Sequence, residues 1–155
     1  MVETASSAYA RRLGELGLPV EVREFPDGTH TAQDAADAIG CPVAAIVKSL
    51  VFTLDGHPIL VLVSGANRVD VDALGRRLGG ALGKADARTV KEATGFSIGA
   101  VPPLAHATDL RTVVDEDLLL LDVAWAAAGS ATSVFPIDPR RLAELTGGEI
   151  VRVTS

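Results

Sequence analysis

Apolar residues recur along this chain with two different spacings, about 3.6 residues in some segments and about two in others. The longer spacing predicts helices over residues 4–16, 32–39, 70–78, 90–94 and 138–145. Runs of β-branched and leucine residues predict strands over residues 20–25, 45–54, 58–64, 112–114, 133–137 and 149–153. A further apolar run covers residues 118–128, and a glycine-rich link is expected near residues 79–83.

Turn and cap residues show how these elements are joined. Thr31 is placed to cap a helix that Gly40 ends, and Asp55-Gly56 is a tight-turn signal between two strands. Pro26, Asp27 and Gly28 predict another turn. Helices mixed with hairpin-linked strands predict an α/β fold over residues 1–155, one domain with a mixed, largely antiparallel central sheet flanked by helices.

Composition limits the class of protein. With 155 residues and 48% hydrophobic residues, the chain can bury a core of its own. Charged residues interrupt the longest apolar runs, and the N-terminal segment lacks a secretory apolar core, so we expect a cytoplasmic protein with no membrane partner. One cysteine and three dispersed histidines predict no disulfide, no metal site and no cofactor.

The net charge argues against a nucleic-acid partner. Twenty acidic residues against fourteen basic ones give −6, which disfavours nonspecific binding to a phosphate backbone. Basic residues nevertheless cluster in one part of the sequence, at Arg76, Arg77, Lys84, Arg88 and Lys91. This basic group forms either a solvated helical face or a local binding surface.

Lys48 is the most unusual residue of the central strands. It interrupts an apolar run over residues 44–52, where an unpaired ammonium is costly to bury. Two interpretations remain open. The ammonium points into a polar cavity, or the lysine lies at a strand edge with its stem on apolar surface and its head in water.

A loop rich in glycine and proline covers residues 95–103. Glycines allow backbone N–H groups to approach a ligand closely, so such a loop can bind an anion or an oxyanion, although a plain connector has the same composition. No nucleophilic triad can be assembled beside it. Ser64 is outside a nucleophile elbow, Cys41 carries no activating signature, and the histidines lie in predicted turns or loops.

Several segments together resemble the YbaK and prolyl-tRNA-synthetase-insertion family. They are His30-Thr31-Ala32 at a helix start and residues 46–52, 63–67, 95–103, 127–129 and 139–145. Each segment is weak by itself, but their order and spacing cover nearly the whole chain. The resemblance implies a trans-editing hydrolase that deacylates mischarged aminoacyl-tRNA, with small amino acids on tRNA(Pro) first in line. Its partners would be that tRNA and an aminoacyl-tRNA synthetase, and not DNA.

The resemblance also implies roles for particular residues. Lys48 corresponds to the family's functional lysine and holds the tRNA 3′ end or the reacting group. Gly99 begins the family's Gly-x-x-x-Pro loop, whose backbone N–H groups stabilise the oxyanion. A hydroxyl of the terminal ribose helps position the attacking water, so no protein nucleophile is required. The substrate-binding candidates are His30, Thr31, Ser49, Ser64, Gly65, Gly95, Phe96, Ala100, Val101, Pro102, Pro103, Gly129 and Thr132.

One segment departs from the family pattern. Many relatives carry a histidine or another polar residue after the position of Gly129, whereas this chain has Ser130, Ala131, Thr132 and Ser133. Two alternatives therefore stay open. The chain is a noncatalytic module that binds a tRNA end, a nucleotide or a protein, or it hydrolyses another small ester or amide.

Overall fold

This computed structural model describes residues 4–25 and 31–155. Within these ranges the chain forms five α-helices and eight β-strands. The helices are α1 (Ala5–Glu15), α2 (Ala32–Ile39), α3 (Val71–Leu78), α4 (Ala87–Thr94) and α5 (Pro139–Thr146). The strands are β1 (Arg23–Glu24), β2 (Val47–Leu54), β3 (His57–Ser64), β4 (Leu82–Lys84), β5 (Arg111–Asp115), β6 (Ala124–Ala127), β7 (Ser133–Ile137) and β8 (Glu149–Val151). No described helix is long and apolar enough to cross a membrane.

Polar caps and glycines set the ends of the helices. Each helix follows a residue whose side-chain oxygen accepts a hydrogen bond from a backbone N–H of the first turn: Thr4, Thr31, Asp70, Asp86 and Asp138. Four helices end at a glycine with positive φ: Gly40, Gly79, Gly95 and Gly147. The predicted cap at Thr31 and the predicted stop at Gly40 are confirmed.

The larger sheet is mixed, as predicted, and has the strand order β4-β2-β3-β5-β8. Strand β2 is antiparallel to β3 and β4, whereas β5 is parallel to β3 and β8. The turn between β2 and β3 is confirmed at Asp55-Gly56, where φ is 50° and 85° and Leu54 pairs with His57. Positive φ at both central residues is typical of the two-residue hairpin turn.

Both faces of this sheet are buried, which explains why β3 is apolar almost throughout. Successive side chains of a strand point to opposite faces, so alternate residues of β3 enter different cores. Leu60 packs in a core with Leu13 of α1, and Val61 packs in a second core with Leu74 of α3. All four of these residues have 0% exposure.

The smaller sheet is antiparallel, with the order β1-β7-β6. A single parallel bridge between Ile46 and Trp125 joins it to the N-terminal end of β2. Along β6, Ala124 and Ala126 are buried in the core that contains Leu13, while Trp125 and Ala127 are partly exposed. The small sheet therefore has one face on the core and one face beside β2.

Three elements differ most from the sequence-based prediction. Residues 82–84, assigned to the glycine-rich link, form β4, a strand of three residues that includes Gly83. The apolar run at 118–128 divides into a 3-10 turn at 116–120 and β6, and Leu120 within it is 81% exposed. Of the strand predicted at 20–25, only Arg23–Glu24 pairs with a neighbour. The turn predicted at Pro26, Asp27 and Gly28 lies outside the described residues.

Two glycines should respond in opposite directions to the same substitution. A Cβ on Gly65 would lie 2.5 Å from the Val43 carbonyl oxygen, whereas a Cβ on Gly14, within α1, would meet no atom within 4 Å. We expect Gly65→Ala to lower the free energy of unfolding by about 1–3 kcal/mol through overpacking. Gly14→Ala should raise it by about 0.5–1 kcal/mol, because alanine favours the helix. Urea denaturation of both variants tests this, and equal effects would contradict the packing assigned to Gly65.

Candidate functional site

A cavity of about 550 Å³ lies beside the N-terminal half of β2. Strand β4 pairs only with Phe52–Leu54, so no described strand forms a ladder with residues 47–51 on that side. The walls of the cavity come from residues 46–52, the start of α2, the end of β4, α4, the small sheet, and the loop residues Ile98, Gly99 and Val101. The shortness of β4 therefore leaves the space that the cavity occupies.

Lysines supply all the formal charge on the described walls of this cavity. Lys48 and Lys84 line it, and no Asp, Glu, His or Cys of the described chain does. The whole chain carries −6, so the cavity is locally opposite in sign to the protein average. A cationic cleft in an acidic protein concentrates anionic ligands at that one place.

The Lys48 ammonium is held at the end of strand β3. Its Nζ donates a hydrogen bond of 2.6 Å to the carbonyl oxygen of Asn67. Burial of the ammonium lowers the pKa of Lys48, the nearby Arg68 guanidinium lowers it further, and the Asp115 carboxylate acts in the opposite direction. Lys48 is therefore a partly desolvated cation with a neutral partner, and it retains charge that a ligand can use.

Asp115 fixes the loop that presents the Asn67 carbonyl. Its Oδ2 accepts hydrogen bonds from the Ser64 N–H at 3.1 Å and from the Asn67 side-chain amide at 2.9 Å. Its Oδ1 accepts the Asp117 N–H at 3.0 Å, and the residue is 1% exposed. Because β5 runs parallel to β3, its last residue, Asp115, lies beside the end of β3 and holds the turn that follows.

The glycine loop reaches the cavity through Gly99 and Val101. Gly99 has φ of 88°, a backbone conformation that side chains with a Cβ rarely adopt. Within the loop the Ala100 N–H donates to the Ser97 carbonyl, whereas the N–H groups of Gly99 and Val101 have no acceptor in the described chain. Two residues of the wall thus have backbone N–H groups without an acceptor in the described chain.

Ser49, another residue that lines the cavity, has a hydroxyl without a partner. Its Oγ is buried and makes no hydrogen bond within the described structure, although the residue lines the cavity. A buried hydroxyl without a partner costs about 1–3 kcal/mol, so proteins rarely keep one without a reason.

Five of the residues named from the sequence lie together on this cavity: Thr31, Lys48, Ser49, Gly99 and Val101. Thr31 is also the cap of α2, where its side chain accepts the Asp34 N–H. His30 lies outside the described residues. The others line no part of the cavity, and most of them have evident packing or backbone roles: Ser64, Gly65, Gly95, Phe96, Ala100, Pro102, Pro103, Gly129 and Thr132.

Local contacts explain these positions. Ser64 Oγ donates to the Ala44 carbonyl, and Gly65 is required by the close approach of Val43. Phe96 packs edge-on against Tyr9, and a Cβ on Gly129 would lie 3.1 Å from the Tyr9 Cβ.

The remaining residues belong to the two loops. Gly95 ends α4, and the Pro102 carbonyl oxygen is 2.6 Å from His106 Nε2. Pro103 is buried away from the cavity, Ala100 donates within its own loop, and the Thr132 carbonyl accepts the Phe25 N–H. Burial lowers the pKa of His106.

Sequence reasoning missed four wall residues that could contact a ligand: Lys84, Trp125, Ser130 and Ser133. From the sequence, Lys84 belongs to the basic group that is either a solvated helical face or a local binding surface, and Ser130 and Ser133 belong to the segment that departs from the family pattern. Trp125 lay within an apolar run of unassigned structure. The alternation of Trp125 and Ala127 with two buried alanines is the pattern that could have indicated a strand with Trp125 on its open face, but it covers only four residues.

Comparison with known proteins agrees with this architecture. A crystal structure of a candidate trans-editing enzyme for prolyl tRNA synthetase superimposes with a TM-score of 0.92 at 39% identity, covering 100% of this chain and 99% of the other. The crystal structure of hypothetical protein APE2540 has a TM-score of 0.85 at 27% identity, over 94% and 97% of the two chains.

Sequence relatives include both a small protein and a large enzyme. The uncharacterized protein YwhH of Bacillus subtilis is 28% identical over 131 residues, which cover 84% of this chain and 83% of YwhH. The proline--tRNA ligase of Desulfovibrio desulfuricans is 30% identical over 118 residues, which cover 76% of this chain but only 20% of the ligase. Residues 26–145 match the family described as the aminoacyl-tRNA editing domain. With that match over most of its length, the chain belongs to the aminoacyl-tRNA editing domain family.

Proposed function

We propose that this protein is a trans-editing hydrolase that cleaves the ester between a mischarged amino acid and the 3′ end of tRNA. The observation that carries the proposal is the cavity beside β2, which two lysines and no carboxylate of the described residues line, in a chain of net charge −6. A tRNA end brings phosphates, so a cationic cleft is the part of this acidic protein suited to receive it.

The relatives support a particular substrate class. A chain of nearly equal length is described as a candidate trans-editing enzyme for prolyl tRNA synthetase, and a proline--tRNA ligase contains a similar segment. We extend this to tRNA(Pro) carrying a small amino acid, with the synthetase as a second partner and the cytoplasm as the place of action. A volume of about 550 Å³ is in the range of small-ligand pockets, so it suits the aminoacylated end rather than a longer stretch of tRNA.

The proposed reaction is the attack of water on the ester carbonyl. The carbon–oxygen bond to the ribose breaks, the amino acid leaves with the oxygen of water, and the ribose hydroxyl regains a proton. Lys48 would hold a phosphate or the carbonyl oxygen, and the N–H groups of Gly99 and Val101 would donate to the oxyanion. Since no Asp, Glu, His or Cys of the described chain lines the cavity, the other ribose hydroxyl is the proposed group that positions the water.

The purified protein should deacylate at least one mischarged tRNA faster than the blank. The panel is tRNA(Pro) carrying alanine, serine, cysteine or 2-aminobutyrate, with correctly charged prolyl-tRNA as the control. A hydrophobic pocket discriminates by only about 10- to 200-fold per methylene, so neighbouring acyl groups should show graded rates. Binding without turnover would support a binding module instead. Equal cleavage of free aminoacyl esters and aminoacyl-tRNA would support a general esterase.

Removal of the Lys48 ammonium should reduce activity without unfolding the protein. We expect Lys48→Ala to lower kcat/KM by about 10- to 1,000-fold, equivalent to about 1.4–4 kcal/mol. Arg140→Ala on α5 is the control, since it removes an exposed cationic side chain outside the cavity walls. Thermal unfolding must be measured on both variants. A Lys48→Ala variant with wild-type kcat/KM would contradict the role proposed for Lys48.

The pH dependence adds a second test of Lys48. Because burial lowers the pKa of Lys48, its charge is lost at a lower pH than that of a free lysine. After subtraction of spontaneous ester hydrolysis, wild-type activity should therefore fall as the pH rises through this lowered pKa. Lys48→Arg stays protonated, so any activity it retains should lack this alkaline decrease.

Ser49→Ala should lower activity without lowering the stability of the fold. It removes a buried hydroxyl that has no partner in the described structure, so the free energy of unfolding should stay equal or rise by about 1 kcal/mol. If the hydroxyl bonds the substrate, kcat/KM should fall by about 2- to 12-fold, the value of one hydrogen bond. Ser7→Ala, at an exposed position in α1, is the control. A less stable variant with unchanged kcat/KM would contradict this role.

A further inference from the structure

The cavity has an aromatic wall that the proposed chemistry does not use. Trp125 lies on β6, and the alternation along that strand turns it and Ala127 toward the cavity while Ala124 and Ala126 enter the core. Its ring also packs against the small cluster of Ala35, Ala36 and Ile46, and it keeps partial exposure. Trp125 is thus a ring that the core supports and that is half-buried.

Arg23 lies over this ring. Its guanidinium carbon is 4.6 Å from the centre of the Trp125 ring, close enough for a cation–π interaction. The residue is exposed, and no described carboxylate lies within 4 Å of it. In the small sheet Arg23 pairs with Val134, which pairs in turn with Ala127, so the arginine extends from the cavity side of that sheet. An aromatic ring and a guanidinium plane are the two kinds of surface on which unpaired nucleobases stack.

The position of Trp125 relative to Lys48 suits a nucleoside. The bridge from Ile46 to Trp125 sets the ring beside the start of β2, and Lys48 is two residues further, about 7 Å along the strand. In an aminoacylated tRNA end one ribose separates the terminal base from the ester. A base on Trp125 would therefore leave the ester close to Lys48 and the acyl group on the apolar wall that includes Val51, Val90 and Val101.

We propose that Trp125 and Arg23 together form the stacking platform for the terminal purine base of the tRNA: the Arg23 guanidinium covers one face of the indole and offers its own plane and positive charge to the base. The proposal rests on the proposed function, because it names the subsite that would receive the nucleoside in that reaction. Trp125 is a positioning residue: it binds the base and thereby sets the location of the ester.

Intrinsic fluorescence tests this directly, because Trp125 is the single tryptophan of the chain. Adenosine 5′-monophosphate should quench it in a saturable way, after correction for absorbance with free N-acetyltryptophanamide. Ribose 5-phosphate, which has the phosphate and sugar without the base, should not. Arg23→Gln should weaken the quenching, whereas Arg141→Gln, which removes an exposed arginine paired with Glu144, should leave it unchanged. Equal responses to the two phosphates, or no saturable response, would overturn the proposal.

Kinetics provide the second readout. Trp125→Phe, which keeps a ring, should retain most of the affinity for aminoacyl-tRNA, whereas Trp125→Ala should raise KM by about 5- to 150-fold, the value of one stacked base. A KM for Trp125→Ala within twofold of wild type would refute the platform even if the protein is an active deacylase. Conversely, quenching by the nucleotide without any deacylation would refute the proposed function and leave the base site standing. If Trp125→Ala fails to fold, the fluorescence titration of the native protein still decides.

Discussion

The site depends on the unequal pairing of strand β2. Along one edge β2 pairs with β3 over its full length, but along the other edge β4 covers only Phe52–Leu54. An open strand edge presents unpaired N–H and C=O groups and has to be protected from other chains. Here the protection comes from the small sheet, joined at the Ile46–Trp125 bridge, and from the loop that contains Gly99. Because these elements approach the edge without forming a continuous ladder, a cavity remains between them.

The charge at this cavity is arranged by residues at the end of β3 and β5, on the side of β2 away from the cavity. The parallel pairing of β3 with β5 brings the buried Asp115 carboxylate to the turn that follows β3, where it binds the Ser64 N–H and the Asn67 amide. The turn then presents the Asn67 carbonyl to Lys48. The carboxylate satisfies backbone and amide donors and therefore does not neutralise Lys48 in a direct ion pair. A cation with a neutral partner keeps more of its field for a ligand than one bound to a carboxylate.

Local signals in the sequence predicted most of the elements. The hairpin follows from Asp55-Gly56 and the limits of α2 follow from Thr31 and Gly40, because those residues act through their own backbone conformation or through N–H groups in the next turn. Strand β4 was missed because three residues, one of them Gly83, carry too little pattern to distinguish a strand from a link. Strand β6 was hidden because its alternating residues are alanines and one tryptophan, all of them apolar.

The sequence by itself determined the helices, the hairpin and the unusual position of Lys48, since each depends on neighbours a few residues away. The resemblance to the editing family added Gly99, which the structure places on the same cavity as Lys48. Only the tertiary structure separated Gly65 and Gly129, which are required by close packing, from Gly99, which lines a wall. It also brought Trp125, Lys84 and Ser133 to β2 from distant parts of the chain. Which side chains share a cavity depends on how two sheets meet, and contacts between residues far apart in sequence leave no periodic signal along it.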